Sequence, residues 1–394
     1  MKKFGLLPRI LLAIACGIGI GLIAPQWLIR IFATFNSLFG SFLGFAIPLI
    51  IIGFIAPGIG SMGKGAGKML GITTGLAYSS TIVAGLLAFG SATLLFPTIL
   101  KSSNMQSVSN PEDALLEPFF QVEMAPVMGV MTALLLAFTL GLGMAAIKGC
   151  TLQSMMEDFK EIVEKVISTI IIPLLPIHIL GIFANMTQGG QIAAIMSVFA
   201  KVFLMIIALH IVVLTIQYSI AGMTIKRNPF KMMKQMLPAY FAALGTQSSA
   251  SSIPVTLEQA KRLGVKDKVA GFTVPLLATI HLSGSTITLV SCAMAVMMMQ
   301  GQTTGLATLF PFILMLGITM IAAPGVPGGA VMAALGLLET MLGFTDTMLS
   351  LMIALYLAQD CFGTACNVTG DGAISVLTNR ISSISESKIN KKAA

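Results

Sequence analysis

Asp360, Thr364, Asn367 and Asp371 follow one another at intervals of four, three and four residues near the end of the chain. At about 100° per residue, a helix gathers these side chains into an arc of roughly 60°. Two carboxylates, a carboxamide and a hydroxyl thus form one polar stripe along the stretch LYLAQDCFGTACNVTGDGAISVL. Such a stripe can hold a hard cation through its oxygens, or a cationic ligand through its charges. A charge at a bilayer centre costs about 2.5–3.5 kcal/mol even on the lenient insertion scale. Two on one face therefore need partners inside the protein. A basic side chain from another helix is the plain alternative, yet no Lys or Arg lies between Lys268 and Glu339 or between Glu339 and Arg380. The stripe reads as a binding site.

The elements that position it belong in a membrane. Of 394 residues, 56% are hydrophobic and only 10% charged, with a mean hydropathy of +0.93. Soluble domains carry about 25% charged residues. The net charge of +8 does not indicate nucleic-acid binding, because Lys and Arg cluster in short loops beside apolar runs. That pattern fixes membrane orientation. Five cysteines (Cys16, Cys150, Cys292, Cys361, Cys366) lie within or beside apolar segments with no metal-ligand spacing, so buried free thiols are expected. Lys2 and Lys3 before an apolar run resemble a signal peptide, but the run leads directly into further spans. It reads as a retained first helix.

Spans are expected over about Leu6–Ala24, Phe35–Pro57, a third ending near Phe96, and about Ala125–Ile147. Pro25 and Trp27 sit at an interface position, and the loop with Lys64 and Lys68 precedes the third span. The polar insertion Lys101–Glu123, with Glu112, Asp113, Glu117 and Glu123, is placed outside by the orientation rule. A fifth helix begins amphipathic, with Glu161 and Lys165 as an i,i+4 pair, and becomes fully apolar. Asn185-Met186-Thr187 has the form of a glycosylation sequon and reads as a polar turn. The sixth span, about Ile192–Ala221, ends at Lys226 and Arg227.

Beyond it the hydropathy is interrupted. Met236–Thr256 carries Gly245-Thr246-Gln247-Ser248-Ser249-Ala250-Ser251-Ser252 in its middle, between flanks that are both basic. Same-sided flanks make it a re-entrant hairpin from the inside, tolerated only where it lines a protein cavity. The seventh span, Ala270–Met299, is interrupted at Thr279–Ser285. Thr308–Phe344 is broken by APGVPGG, which cannot continue a helix. Its flanks lack Lys and Arg, so it enters from the outside. The striped helix is the eighth span, held inside by Arg380, Lys388, Lys391 and Lys392. Opposed hairpins and broken spans point to a site at the membrane midplane.

LGTQSSASSIPVT, TIHLSGS, PGVPGG and NVTGD, in that order, resemble the motifs of the dicarboxylate/amino acid:cation symporter family. In the N-terminal half the resemblance rests on span count and Ser79-Ser80-Thr81. It implies an all-α polytopic membrane protein with eight transmembrane helices, two re-entrant hairpins and an elevator-type transporter fold. Scaffold helices would lie in residues 1–60 and 101–190, and the transport domain in 61–100 and 191–394. A homotrimer in the lipid bilayer is implied, in a bacterial inner membrane with both termini cytoplasmic, together with sodium coupling. Carried over by position, Asp360 would receive the α-ammonium of an amino acid. Asn367, Ser248, Ser249 and backbone around Val326 and Gly328 would hold its carboxylate, and Thr364 would line the pocket. Asp371 and Asn367 would build one sodium site and Thr279 another, with Ser80, Thr81, His281 and Ser283 alongside.

Three positions depart from the pattern. Acidic-substrate members carry Arg where this chain has Gly363, so a side-chain carboxylate has no guanidinium partner. Small or medium neutral amino acids, such as serine, alanine and threonine, are expected instead. Ser283 replaces an Asp of the motif, and His281 replaces an Asn. With only two fixed negative charges and a zwitterionic cargo, fewer coupled sodium ions are expected. The expected role of His281 is a neutral imidazole bonded to a backbone carbonyl. Its alternative is a proton carrier, which would make the protein a proton-coupled symporter or an exchanger of amino acids or dicarboxylates. His178 and His210 read as buried structural histidines, and the 27 Met as apolar filler.

An intramembrane protease is disfavoured. Asp360 and Asp371 share one helix at about 16 Å, and neither Ser248 nor His281 sits in a nucleophile motif. A passive channel is the nearer rival, because broken helices also build pores.

Overall fold

The computed structural model describes residues 6–62, 67–101, 115–147, 149–190, 192–321, 323 and 328–393. The sequence readings at Lys64, Glu112, Asp113 and Val326 lie outside them. Among the described residues the chain is helical and has no strand.

The N-terminal part comprises α1 (Leu6–Ile23), α2 (Gln26–Met62), α3 (Gly67–Lys101), α4 (Val130–Ala146), α5 (Thr151–Val166) and α6 (Ile172–Gln188). α2 begins nine residues before the expected Phe35, since 35 − 26 = 9. Hydropathy misses this start because Arg30 interrupts it. The arginine is accommodated by the irregular segment 115–129: its Nε donates to the Glu117 carbonyl at 3.0 Å, and the guanidinium lies 4.3 Å from the Phe119 ring centre. That segment also delays α4 to Val130, five residues past the expected Ala125 (130 − 125 = 5). Asn185-Met186-Thr187 is the buried last turn of α6 rather than a polar turn. Asn185 exchanges two hydrogen bonds with the Leu116 backbone, at 2.9 and 3.1 Å, which satisfies its amide away from water.

α5 buries Gln153, Met156 and Val163 and keeps the Glu161–Lys165 pair, 3.0 Å apart, on its exposed side. Its apolar continuation passes through a π turn, Ile167–Ile171, where the Ile172 N–H bonds the Ile167 carbonyl. Pro173, next in line, has no N–H to continue an α ladder, so a widened turn at this point costs little.

The C-terminal part comprises α7 (Ile192–Ile225), α8 (Pro229–Gln235), α9 (Leu237–Thr246), α10 (Ser249–Arg262), α11 (Asp267–Ile280) and α12 (Ser283–Met299). α13 (Leu306–Met320), α14 (Gly329–Leu342), α15 (Asp346–Leu357) and α16 (Asp360–Ala393) complete it. The interruptions after Thr246 and in the seventh span are present, and α13 ends at Met320 before α14 starts at Gly329. Gln247 turns the chain in the left-handed region at φ 53°, and Ser248 caps α10 by accepting from the Ser251 N–H. One break was not expected: α15 and α16 meet at 60° across Ala358–Gln359, so the striped helix is not continuous with its apolar lead-in. The stripe nevertheless stays on one element, because Asp360 is the first residue of α16. Cys16 and Cys150 are exposed, contrary to the expectation of burial, whereas Cys292, Cys361 and Cys366 are buried.

Among the described residues, five helices or continuous helix pairs are long and apolar enough to cross a membrane, and the bent α15–α16 pair gives a sixth. α1, α4, α13 and α14 are shorter apolar helices. α2 packs along α4, α5 and α6, and α1 along α6, while α16 is surrounded by α3, α7 and α9–α12.

The α1–α6 contact depends on glycine. A Cβ on Gly17 would stand 2.5 Å from the Leu180 carbonyl oxygen, and one on Gly21 equally close to that of Ala184, whereas nothing lies within 4 Å of Gly19. Small residues four apart let two backbones touch without a hydrophobic driving force. Gly17→Ala is therefore expected to destabilise by about 1–3 kcal/mol. Gly19→Ala should be neutral or stabilising, with thermal midpoints in detergent as the readout.

Candidate functional site

The four stripe residues face inward. Asp360, Thr364, Asn367 and Asp371 are 5%, 6%, 1% and 1% exposed. Asp360 is met at the start of α14, and Asn367 and Asp371 are both met at the break between α11 and α12.

At the head of α16, Asp360 Oδ2 accepts the Gly328 N–H at 2.7 Å. Gly328 sits at φ 76°, immediately before α14. The carboxylate thereby meets the positive end of a helix, where backbone N–H groups lack intrahelical partners. Thr364 Oγ1 approaches Asp360 Oδ1 at 3.5 Å. Gly363, beside it, lies against α12, where a Cβ would be 3.5 Å from Ser285 Cα.

In the middle of the stripe, Asn367 Oδ1 accepts the N–H groups of Gly284 and Ser285 at 2.7 and 3.2 Å. Its Nδ2 donates to Ser285 Oγ at 2.9 Å. The carboxamide thus caps α12 from outside its own helix. The two backbones must be close for this. A Cβ on Gly284 would stand 2.5 Å from the Gly363 carbonyl oxygen, which explains a glycine there.

At the far end, Asp371 Oδ1 and His281 Nδ1 are 2.8 Å apart and fully buried. The expected backbone-carbonyl partner for His281 is thus replaced by a carboxylate. The break after Ile280 turns the imidazole toward α16 instead of along α11. A carboxylate only accepts, so Nδ1 carries the proton between them. His281 Nε2 lies 3.0 Å from Ser80 Oγ, which accepts from Gln217 Nε2 at 2.9 Å. Gln217 also donates to Ser283 Oγ at 3.2 Å. Ser80 Oγ can either give its proton to Nε2 or accept from it, and so closes the network at that nitrogen.

α16 thus brings together Asp360, Gly328, Gly363, Thr364, Asn367, Asp371, His281, Ser283 and Ser80. Ser248 and Ser249 are buried at the α9–α10 tip, whose two helices both pack on α16. Two expected ligands lie outside the network. Thr81 Oγ1 is spent on the Ala77 carbonyl at 3.0 Å, and Thr279 is exposed with its hydroxyl on the Leu276 carbonyl at 2.8 Å. β-hydroxyls on helices return to their own backbone when no better partner is near.

The sequence reading did not assign Gln217, Ser285, Tyr356 or His210 to the site. Gln217 and His210, which bonds the Gly284 carbonyl at 3.1 Å, are seven residues apart on α7. That spacing of two turns places both on one face of an apolar helix, a signal that was available. His178, read as structural, is buried away from the stripe and bonds Ser350 Oγ at 2.9 Å.

Oxygen-rich, buried groups gathered where several helices are interrupted, inside a multi-pass membrane protein, define a carrier-type site. The chain belongs to the sodium:dicarboxylate symporter family, whose sequence profile matches residues 6–381. Among curated proteins it is similar to the serine/threonine transporter SstT of Streptococcus suis, 27% identical over 341 residues that cover 84% of this chain and 94% of that protein. It is equally similar to SstT of Acinetobacter baumannii strain AYE, 27% identical over 341 residues and 84% of each chain.

Breaking a buried pair from one side leaves the other group uncompensated, at a cost of about 3–5 kcal/mol. His281→Ala is accordingly expected to destabilise by about 3 kcal/mol in thermal unfolding of the detergent-solubilised protein. Thr279→Ala should stay within about 0.5 kcal/mol of the parent.

Proposed function

We propose that the chain imports small neutral amino acids, serine and threonine first among them, in symport with sodium. The observation that carries the substrate class is Gly363 against Ser285. The position where acidic-substrate members of the family hold a guanidinium is empty of side chain, and α11–α15 supply no Lys or Arg beyond Lys268 to replace it. The printed names of the relatives, serine/threonine transporters, agree with a hydroxyl amino acid.

In this reading the cargo ammonium replaces the Gly328 N–H at Asp360. Its carboxylate takes N–H groups at the hairpin tips, with Ser248, Ser249 and the backbone around Val326 nearest. Thr364 lines the pocket. Sodium enters as a co-substrate beside Asp371 and Asn367. Because Asp360 and Asp371 supply two fixed negative charges and the cargo is a zwitterion, fewer sodium ions travel with each amino acid than in acidic-substrate members.

The elevator reading assigns α1, α2 and α4–α6 to the scaffold, and α3 with α7–α16 to the moving part. It treats the fold as eight spans and two hairpins, assembled as a homotrimer in a bacterial inner membrane with cytoplasmic termini. Helix packing supports it: contacts between the two groups are concentrated where α14 meets α2 and α4 and where α15 meets α1 and α6. A cavity of about 290 Å³ lies along that boundary, lined by residues that include Asn36, His178, Asp346 and Ser350.

Uptake of labelled serine into liposomes holding the purified protein tests the function. An inward sodium gradient should drive accumulation, unlabelled alanine and threonine should compete, and internal serine should trans-stimulate entry. Aspartate uptake that serine does not inhibit would contradict the substrate class. Flux without saturation or trans-stimulation would indicate a channel.

A further inference from the structure

One buried hydrogen bond joins the two groups of helices that an elevator would move apart. His178 on α6 and Ser350 on α15 are 1% and 7% exposed, and Nε2 lies 2.9 Å from the serine Oγ. The direction of this bond follows from the neighbours. Ser350 donates its single proton to the Asp346 carbonyl at 2.7 Å, so toward the imidazole its oxygen can only accept. Nε2 therefore carries the N–H, and Nδ1 is left as an acceptor. Asn36 on α2 supplies the matching donor. With its amide nitrogen turned inward, it donates to Nδ1 at 3.1 Å and to the His178 carbonyl at 3.2 Å, while its oxygen accepts the Ile182 N–H at 3.0 Å. The imidazole is thus anchored on the α2–α6 side and reaches across to α15 with one N–H.

The other side-chain bonds described above stay within one group or the other. This one borders the cavity of about 290 Å³ on the boundary, which both residues line. A polar cavity of that size admits water, so each partner can be rehydrated when the bond opens. We propose that His178 and Ser350 form a latch that holds α15 against α2 and α6, and that its opening precedes movement of the cargo-bearing helices. The latch makes His178 a positioning residue for transport, and it rests on the elevator reading.

Exchange of labelled serine across liposome membranes, at saturating serine on both sides, is the test. Ser350→Ala is expected to speed exchange roughly threefold to tenfold, the worth of one net hydrogen bond. Ser350→Thr, which keeps the hydroxyl, should stay near the parent rate. Loss of a bond that only braces the fold would leave the rate unchanged or lower it, and either result overturns the latch. Ser350→Cys, a weak acceptor, replaces the alanine variant if that one does not fold, with the same expected direction. A cross-link separates the latch from the elevator reading. A Cβ on Gly40 would lie 4.0 Å from that of Asp346, within the usual span of a disulfide. Ser350 bonds the backbone carbonyl of residue 346, which substitution there keeps. Oxidised Gly40→Cys/Asp346→Cys protein should lose exchange and regain it on reduction. Exchange that survives complete cross-linking would remove the elevator reading, and the latch with it. Loss of exchange on cross-linking, beside an unchanged Ser350→Ala rate, would overturn the latch alone. Failure to cross-link would show that the contact is not held, and would overturn it as well.

Discussion

A carboxylate in a membrane-embedded interior must be answered by positive charge or oriented donors, and this chain buries two of them on one helix. The surroundings of α16 follow from that constraint. Asp360 is answered by backbone, at the exposed N–H end of α14. Asp371 is answered by a side chain, the imidazole of His281. Between them Asn367 performs the reverse service and supplies acceptor oxygen to the free N–H groups at the start of α12. The helices are broken beside the stripe for the same physical reason in each case. An interrupted helix exposes polar backbone, and only another polar group can make that exposure tolerable at such depth.

The two acids differ in how easily their partners can change. Gly328 follows directly on a Pro- and Gly-rich stretch, and in the proposed reading its donation to Asp360 is the contact that a ligand ammonium replaces. His281 is fixed by Asp371, Ser80 and the nearby Gln217, drawn from α16, α3 and α7. This asymmetry favours the proposed division of labour, with cargo exchanged at Asp360 and the far end of the stripe kept more permanently balanced.

Much of this was readable in the residues. The hydroxyl run around Ser248 and the His281 break each violate helix continuity in an apolar stretch and are breaks in the structure, and α13 and α14 end and begin on either side of the Pro-Gly stretch. The spacing of the stripe placed its four side chains on one buried face. The bend before Asp360 was hidden because Ala358 and Gln359 are ordinary helix formers. The partners of His281 were hidden for a different reason. Ser80 lies 201 residues away in the chain, and Gln217 is separated by 64, so only the packing of three helices brings them together. The starts of α2 and α4 were misplaced because Arg30 and the 115–129 segment satisfy each other, a tertiary compensation that hydropathy does not register.

The central claim is that Asp360 exchanges a backbone donor for the ammonium of the cargo. Calorimetric titration of serine into the purified protein at fixed sodium, beside the same titration of Asp360→Asn, addresses it most directly. The account predicts saturable binding to the parent and at least a hundredfold weaker binding, about 3 kcal/mol, to a variant that remains folded. Equal affinity of the two proteins would contradict it.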